Sequence, residues 1–165
     1  MTMARTIRTV QNGPWTPVLY TTPDKFLTSS LGGVWPSHLA RRSQGVGDLT
    51  ARLNKGLREA PTGPVLFIGS DAPDLHPRHI QQAFKALRNH QAVFGPASDG
   101  GFWLFGLNKT ARTPSPFENC RWSGPHAMED VWGNLPRSAN VALLPELIDI
   151  DDAGDWRTWR ASKHA

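Results

Sequence analysis

The sequence has a single cysteine, Cys120, among its 165 residues. This excludes an intramolecular disulfide and a zinc site built from several cysteines. It leaves either a small buried hydrophobic residue or a surface thiol. No apolar run is long enough to cross a bilayer, and the basic amino-terminal residues lack the apolar core of a signal peptide. We therefore expect a cytoplasmic protein with no membrane partner.

Charged residues are also few, at 19%, whereas hydrophobic residues make up 39% and include seven tryptophans. This balance excludes disorder, and the length predicts one domain over residues 1–165. The net charge of +4 arises in residues 1–64, which hold eight Lys/Arg against three acids; residues 65–165 hold ten against eleven. Because basic runs and stacked aromatic motifs are lacking, nucleic acid is the least favoured partner. The basic surface could instead bind a phosphorylated small molecule, or it could contribute to solubility alone.

The apolar patterning predicts an α/β fold. Residues 64–69 form a continuous apolar run, typical of a strand buried on both faces of a parallel sheet. A helix opened by Pro77 and a strand at 92–95 follow, and such a strand, helix, strand unit implies α/β architecture. The other predicted elements are a strand at 17–22, a loop over 25–36, a helix capped by Asp48, a strand at 102–107, a helix opened by Ser123 and Pro125, strands within 141–144 and 147–150, and a helix capped by Asp152.

The candidate chemistry lies at strand ends. Asp71 follows the apolar run of 64–69, where open α/β sheets bind ligands. A carboxylate there can hold a divalent cation that bridges phosphate oxygens, although it can also simply cap the turn before Pro73. Asp149 and Asp151 alternate along a predicted strand end and point the same way, so either could complete a metal site; we favour Asp151. Capping of the final helix would explain Asp152, but it would leave Asp149 and Asp151 without a role.

Two glycine-containing segments are weaker candidates. Asp99 precedes Gly100 and Gly101, which permit close backbone approach to a ligand, although Asp-Gly is also a common hairpin turn. Gly47 and Asp48 lead into a helix N-terminus, where free N–H groups favour an anion. A simple helix cap explains this segment equally well.

Five spaced motifs together resemble one bacterial family. They are QGVGDLTARL, PVLFIGSDAPDL, AVFGPASDGGFWLFGL, FENCRWSGPHAM and DIDDAGDW, and they extend from about residue 17 to 159. They are similar to glycosyltransferase-like proteins related to molybdenum-cofactor guanylyltransferase and 2-phospho-lactate guanylyltransferase. The resemblance implies a three-layer α/β/α sandwich of the nucleotide-diphospho-sugar transferase (GT-A) type, with a mostly parallel sheet.

The resemblance also implies roles for individual residues. Asp71 and Asp151 match the ligands of one Mg²⁺ or Mn²⁺, and Asp71 and Asp99 become the catalytic candidates. The candidate nucleotide- and substrate-binding residues are Gly47, Asp48, Ser70, Gly100, Gly101, Trp122 and Ser123.

One family feature has no counterpart in this sequence. Family members begin with a strand and a basic, glycine-containing phosphate loop, whereas this chain opens with ARTIRTVQNGPWTPVLYTTPD, which resembles the end of the first helix running into the second strand. A start site placed too far downstream, a truncated relic, and a chain that fills the gap by rearrangement or by pairing with another copy all explain this. We expect the missing loop to lower activity.

Three functions follow as hypotheses. The first is metal-dependent glycosyl transfer from a nucleotide sugar to a small acceptor, and the second is nucleotidyl transfer to a small phosphorylated substrate. The third is a catalytically incomplete protein that binds a nucleotide or a partner. The sequence does not identify the nucleotide base, the sugar or the acceptor. It does not identify a general base for catalysis either.

Overall fold

The computed structural model describes residues 2–148, 150 and 153–162. The chain forms five helices and six strands within the described residues, and the unit β3, α3, β4 is the predicted strand, helix, strand unit. Their bounds, in chain order, are α1 Thr2–Val10, β1 Val18–Thr21, a 3-10 turn at Asp24–Phe26, β2 Ala40–Ser43, α2 Leu49–Glu59, β3 Gly63–Ile68, α3 Pro77–Ala86, β4 Ala92–Pro96, β5 Phe102–Lys109, α4 Ala127–Gly133, β6 Val141–Leu143 and α5 Ala153–Ser162.

The described strands form two sheets. The larger sheet has the order β3-β5-β4-β6, and the smaller one pairs β1 with β2 in parallel. β5 runs antiparallel to both β3 and β4, and β6 runs parallel to β4, so three of the four strands share one direction. The carboxyl ends of β3, β4 and β6 therefore meet at one edge of the sheet.

Helices cover both faces of the larger sheet. On one face, Ile80, Ala83 and Leu87 of α3 pack with the fully buried Trp103 and Leu104 of β5. On the other face, Leu57 of α2 and Val131 of α4 pack with Phe94 and Phe105 of the sheet and with Phe117 of the segment that follows β5. This arrangement is the predicted α/β/α sandwich.

The smaller sheet has an apolar cluster of its own. Ile7 of α1 packs with Leu39 and with Trp35 of the preceding loop. The guanidinium of Arg41 on β2 lies over the Trp35 ring and donates to four loop carbonyls, those of Leu27, Ser29, Trp35 and Pro36. The loop over 25–36 is thus ordered around one arginine.

Most predicted elements are confirmed. α2 begins after Asp48, whose side chain accepts a hydrogen bond from the Ala51 N–H (2.9 Å), and α3 begins at Pro77. α1 leading into β1 also agrees with the interpretation of the opening residues as a helix end followed by a strand. None of the helices within the described ranges is both long and apolar enough to span a membrane.

Three predictions are wrong in detail. The helix opened by Ser123 and Pro125 begins only at Ala127, because Ser123 has a φ of +61°. Of the strand predicted at 147–150, the described residues show only an isolated bridge between Leu147 and Ala97. β2 was not predicted, since its sequence ARRS lacks an apolar pattern.

The position of β3 is a further correction. The sequence predicts a strand buried on both faces of a parallel sheet, but β3 lies at the edge of the larger sheet and pairs only with antiparallel β5 among the described strands. Its residues are half-buried or exposed, whereas Ala92 to Gly95 of β4 are buried. An apolar run indicates that both faces are covered, and it carries no information on whether both edges are paired.

Candidate functional site

The loops after β3 and β4 lie at the carboxyl edge of the larger sheet, where β6 also ends. The loop after β3 is tied to β5, where the Gly69 N–H donates to the Trp103 carbonyl (3.0 Å). On one face of the sheet, the Trp122 indole N–H donates to Thr50 Oγ1 of α2 (2.7 Å), and the Trp122 ring lies 6.4 Å from that of Phe102. The loops after β3 and β4 are both tied to residues that follow β6: the Ile150 N–H donates to the Asp71 carbonyl (3.1 Å), and the Ser98 N–H donates to the Leu147 carbonyl (3.2 Å).

Asp71 is half-buried just past the end of β3. Its Oδ1 accepts a hydrogen bond from Ser70 Oγ (3.0 Å), and Thr6 Oγ1 of α1 donates to the Ser70 carbonyl (3.0 Å). The carboxylate is therefore positioned by its neighbour, while its remaining lone pairs stay available to a ligand. This placement is the one that the sequence predicts for Asp71.

The second acidic segment also reaches this loop. The backbone N–H of Ile150 donates to the Asp71 carbonyl (3.1 Å). Asp149 and Asp151, the two candidates for completing the metal site, flank Ile150 in the sequence and lie outside the described residues. Asp151 as a ligand stays a prediction.

Asp99 lies in a tight turn between β4 and β5. Its Oδ1 accepts a hydrogen bond from the Gly101 N–H (2.9 Å), and the side chain is exposed. Gly100 has a φ of +89° and lies against Pro125, and its carbonyl accepts from the Met128 N–H (3.3 Å). The glycines thus bring the turn close to the start of α4, and a catalytic role for Asp99 stays a prediction.

Gly47 and Asp48 form the entry to α2. Gly47 has a φ of +105°, and Asp48 caps the helix through Ala51. Arg52 Nε donates to the Gly47 carbonyl (3.1 Å), which brings a guanidinium to the same turn. Val46, beside Gly47, is 93% exposed, so this turn projects into solvent.

The segment carrying Trp122 and Ser123 is fastened to α4. The Arg121 guanidinium and backbone N–H both donate to the Asp130 carboxylate, at 2.6 to 2.8 Å. These hydrogen bonds hold the pKa of Asp130 well below its usual range. Trp122 is half-buried among Phe102 and Phe117, and Ser123 is exposed with its left-handed backbone. A position of Trp122 and Ser123 at the border of an acceptor or sugar pocket stays a prediction.

Sequence reasoning missed two threonines that hold this site together. Thr50 accepts from Trp122 and donates to the Phe117 carbonyl (3.2 Å), and Thr6 secures the Ser70 carbonyl. A threonine within a helix carries no distinctive sequence signal. Only its contacts across 64 or more residues of chain show its role.

The carboxylates of this site fit a cation that binds together with the phosphates of a substrate. In the part of the chain that the structure describes, no three His, Cys, Asp or Glu side chains are grouped as a metal site. Magnesium typically uses one or two protein carboxylates together with substrate phosphates and water. Asp71 fits that pattern, and the described residues do not form an all-protein cage.

Two surface cavities lie away from Asp71. One of about 680 Å³ lies at the opposite end of β3, where Pro64 begins to pair with Asn108, and Trp15 and Phe84 line its wall. The other, of about 460 Å³, lies between β2 and α2 beside Arg42 and Glu59. None of the predicted nucleotide-site residues lines either cavity.

A pair of histidines secures the start of α3, next to the Asp71 loop. His76 Nδ1 accepts from the Arg78 N–H (3.2 Å), and His79 Nδ1 accepts from the His76 N–H (3.3 Å), which makes a reciprocal cap. His79 is buried, with its ring 5.6 Å from that of Trp103. Burial, and then the charges of Arg78 and His76, lower its pKa, against an opposing effect of Asp74.

We expect this cap to make the fold sensitive to mild acid. The pKa of His79 is lower in the folded state than its ordinary value of 6.5. Its contribution to the free energy of unfolding is therefore fully present above pH 6.5, and it is lost as the pH falls from 6.5 through the lowered pKa. Urea unfolding from pH 7.5 to 5 should show this loss. His79→Gln keeps an acceptor at the capping position and cannot titrate, so its curve should be flatter. Parallel curves would contradict the assignment.

The chain was also compared with known proteins and structures. Residues 5–124 match the model of the family DUF2064, described as uncharacterized proteins conserved in bacteria. No curated protein matches the chain.

Solved structures with similar folds come from several bacteria. A Desulfovibrio desulfuricans protein assigned as a nucleotide-diphospho-sugar transferase has a TM-score of 0.82 at 23% identity, and the match covers 99% of this chain and 74% of that one. The 4-diphosphocytidyl-2C-methyl-D-erythritol synthase of Anaerococcus prevotii gives 0.71 at 12% identity, covering 99% and 86%. The predicted GT-A-like fold is thereby confirmed.

Proposed function

The chain belongs to the bacterial family DUF2064, and we propose that it is a metal-dependent nucleotide-sugar transferase whose diphosphate site is centred on Asp71. The observation that supports the proposal is the half-buried Asp71 carboxylate just past the carboxyl end of β3, in a loop that is tied, like the loop after β4, to residues following β6. Binding at the carboxyl ends of strands is the general rule for open α/β sheets.

We assign separate roles to Asp71 and to the residues around it. Asp71, completed by Asp151 in our proposal, would hold Mg²⁺ or Mn²⁺, which neutralises the charge of a diphosphate leaving group. Ser70 orients the Asp71 carboxylate. The turn at Gly47 and Asp48 would supply backbone groups and Arg52 near the nucleotide. Gly100 and Gly101 would hold the Asp99 turn against the start of α4, beside the acceptor or sugar.

Nucleotidyl transfer is the second candidate, because the structurally similar A. prevotii protein is named as the synthase of a diphosphocytidyl compound. In glycosyl transfer the acceptor oxygen attacks the sugar carbon and a nucleoside diphosphate departs. In nucleotidyl transfer a substrate phosphate attacks the α-phosphate of a nucleoside triphosphate, and pyrophosphate departs. Both reactions need positive charge where the leaving group gathers negative charge, so one carboxylate and metal site serves either.

Product analysis separates the candidates. The protein is incubated with Mn²⁺ and either UDP- and GDP-sugars or GTP and CTP, together with mixed sugar and phosphosugar acceptors. We expect nucleoside diphosphate from the nucleotide sugars, and its release should be lost in Asp71→Asn. Pyrophosphate from the triphosphates would establish nucleotidyl transfer instead. If neither product forms and the protein still binds a nucleotide, it is the catalytically incomplete form.

A further inference from the structure

The loop that carries Asp71 is fixed along one side by α1. Thr6 and Thr9 lie three residues apart in this helix, so their side chains share one face. Thr6 Oγ1 donates to the Ser70 carbonyl (3.0 Å), Thr9 Oγ1 donates to the Leu75 carbonyl (3.4 Å), and both threonines are buried. The loop is thus secured on either side of its acidic residues.

The acidic residues of the loop are held by the part of the chain that follows β6. The Ile150 N–H donates to the Asp71 carbonyl (3.1 Å). Further along the chain, the Trp159 indole N–H of α5 donates to Asp74 Oδ2 (2.9 Å). The Asp71 loop and the segment that ends in α5 are therefore attached to each other at two points.

The second proposed cation ligand lies between these two points in the sequence. Asp151 follows Ile150 directly, shortly before α5 begins at Ala153. Asp71, the first proposed ligand, lies in the loop at the point where Ile150 is attached. The separation of the two carboxylates therefore depends on how this segment and α5 are docked on the loop.

Apolar packing does little to hold α5. In the described part of the chain, the three apolar clusters of the core contain no residue of α5. The Trp156 and Trp159 rings lie 5.1 Å apart and pack on each other. Elements with few buried apolar contacts detach more easily than the core does, and a hydrogen bond to a carboxylate is a strong single contact. We therefore expect the bond from Trp159 to Asp74 to contribute much of the docking of α5.

We propose that Trp159 is a positioning residue for the cation site: by docking α5 on Asp74, it holds the segment after Ile150 against the Asp71 loop. This inference rests on the proposed function, to which it adds the residue that keeps the two acidic segments together. Trp159 acts through Asp74 and needs no contact with the cation. Because binding and docking are linked, a cation that bridges the two segments should in turn stabilise the docked helix.

The first test needs no ligand. Trp159→Phe removes the indole donor and keeps an aromatic ring beside Trp156. Hydrogen exchange followed by NMR should show that the Ile150 amide exchanges about tenfold faster or more, while the amides of β4 and β5 exchange as in the parent protein. Trp156→Phe is the matched control, because the Trp156 indole N–H has no hydrogen-bond partner among the described residues. Its Ile150 amide should exchange as in the parent protein.

The acceptor gives an independent check of the same contact. Asp74→Asn keeps a side-chain oxygen that can accept from the Trp159 indole, whereas Asp74→Ala removes it. The Ile150 amide should therefore exchange faster in Asp74→Ala than in Asp74→Asn. Combining Asp74→Ala with Trp159→Phe should have a smaller effect than the sum of the two single changes, because both remove one hydrogen bond. Full additivity would show that the two residues act independently, which would overturn the assignment.

The second test measures cation-dependent binding. Calorimetric titration with UDP and GDP in the presence of Mn²⁺ should give an affinity about tenfold lower for Trp159→Phe than for the parent protein and Trp156→Phe, the loss typical of residues that orient metal ligands. Without Mn²⁺, the three proteins should bind equally. A purely structural role would lower the stability of the fold and leave the effect of Mn²⁺ unchanged. In the parent protein, Mg²⁺ with the nucleotide should also slow exchange of the Ile150 amide and the Trp159 indole.

Two results would overturn the proposal. If Trp159→Phe leaves exchange at Ile150 unchanged, other contacts hold the segment. If exchange becomes faster but the Mn²⁺-dependent affinity equals that of the parent protein, the segment is not part of the cation site. Failure of the proposed function gives a different result, since the parent protein itself then shows no Mn²⁺-dependent binding. Faster exchange in Trp159→Phe would in that case still support the docking role of Trp159.

Discussion

Gly100→Ala is expected to lower the free energy of unfolding by about 2 kcal/mol or more. Gly100 has a φ of +89°, where a side chain costs about 1–2 kcal/mol. A Cβ at this position would also lie only 2.6 Å from Pro125 Cα and inside contact distance of the Pro125 carbonyl. Because these are backbone atoms, relief requires the Asp99 turn and the start of α4 to move apart.

Gly124→Ala provides a matched control for this change. An added Cβ at Gly124 has no atom within 4 Å, and its backbone lies outside the left-handed region. Its stability should change by no more than about 1 kcal/mol in either direction. Urea unfolding of both variants measures the difference. Equal stability would show that the close approach of the Asp99 turn to Pro125 is not a constraint of the fold.

Asp71→Asn is expected to abolish the metal dependence of nucleotide binding. Asparagine matches the shape of aspartate, but it carries no charge and is a weaker ligand for a hard cation. Mutation of residues that only orient metal ligands costs about 10- to 100-fold in metal affinity, so loss of the ligand itself should cost at least about 100-fold. Metal binding without nucleotide should be weak in the parent protein too, since the described residues form no cage.

Glu118→Gln is the control for the loss of one negative charge. Glu118 is exposed, and it accepts from Asn54 Nδ2 (2.8 Å), a hydrogen bond that glutamine can retain. Its metal-dependent nucleotide affinity should equal that of the parent protein. An effect as large as that of Asp71→Asn would point to net charge as the cause.

The sequence predicts those elements whose determinants are local. The cap at Asp48 with leucines at helical spacing identifies α2, and Pro77 identifies the start of α3. The apolar runs identify β4 and β5 for the same reason. The position of Asp71 follows from the end of β3 alone.

Elements fixed by distant contacts were not predictable in the same way. β2 consists of polar residues, and Arg41 holds it through carbonyls of a loop up to 14 residues away. The edge position of β3 depends on which strands lie beside it, which an apolar pattern does not encode. The tie from Trp122 to Thr50, 72 residues apart, likewise arises only when distant segments meet.

Calorimetric titration with UDP and GDP, with and without Mn²⁺, tests the central claim most directly. The parent protein and Glu118→Gln should bind a nucleoside diphosphate more tightly when Mn²⁺ is present, and Asp71→Asn should bind with an affinity that Mn²⁺ does not change. Metal-dependent binding that survives in Asp71→Asn, or no binding of either nucleotide to the parent protein, would contradict a nucleotide site centred on Asp71.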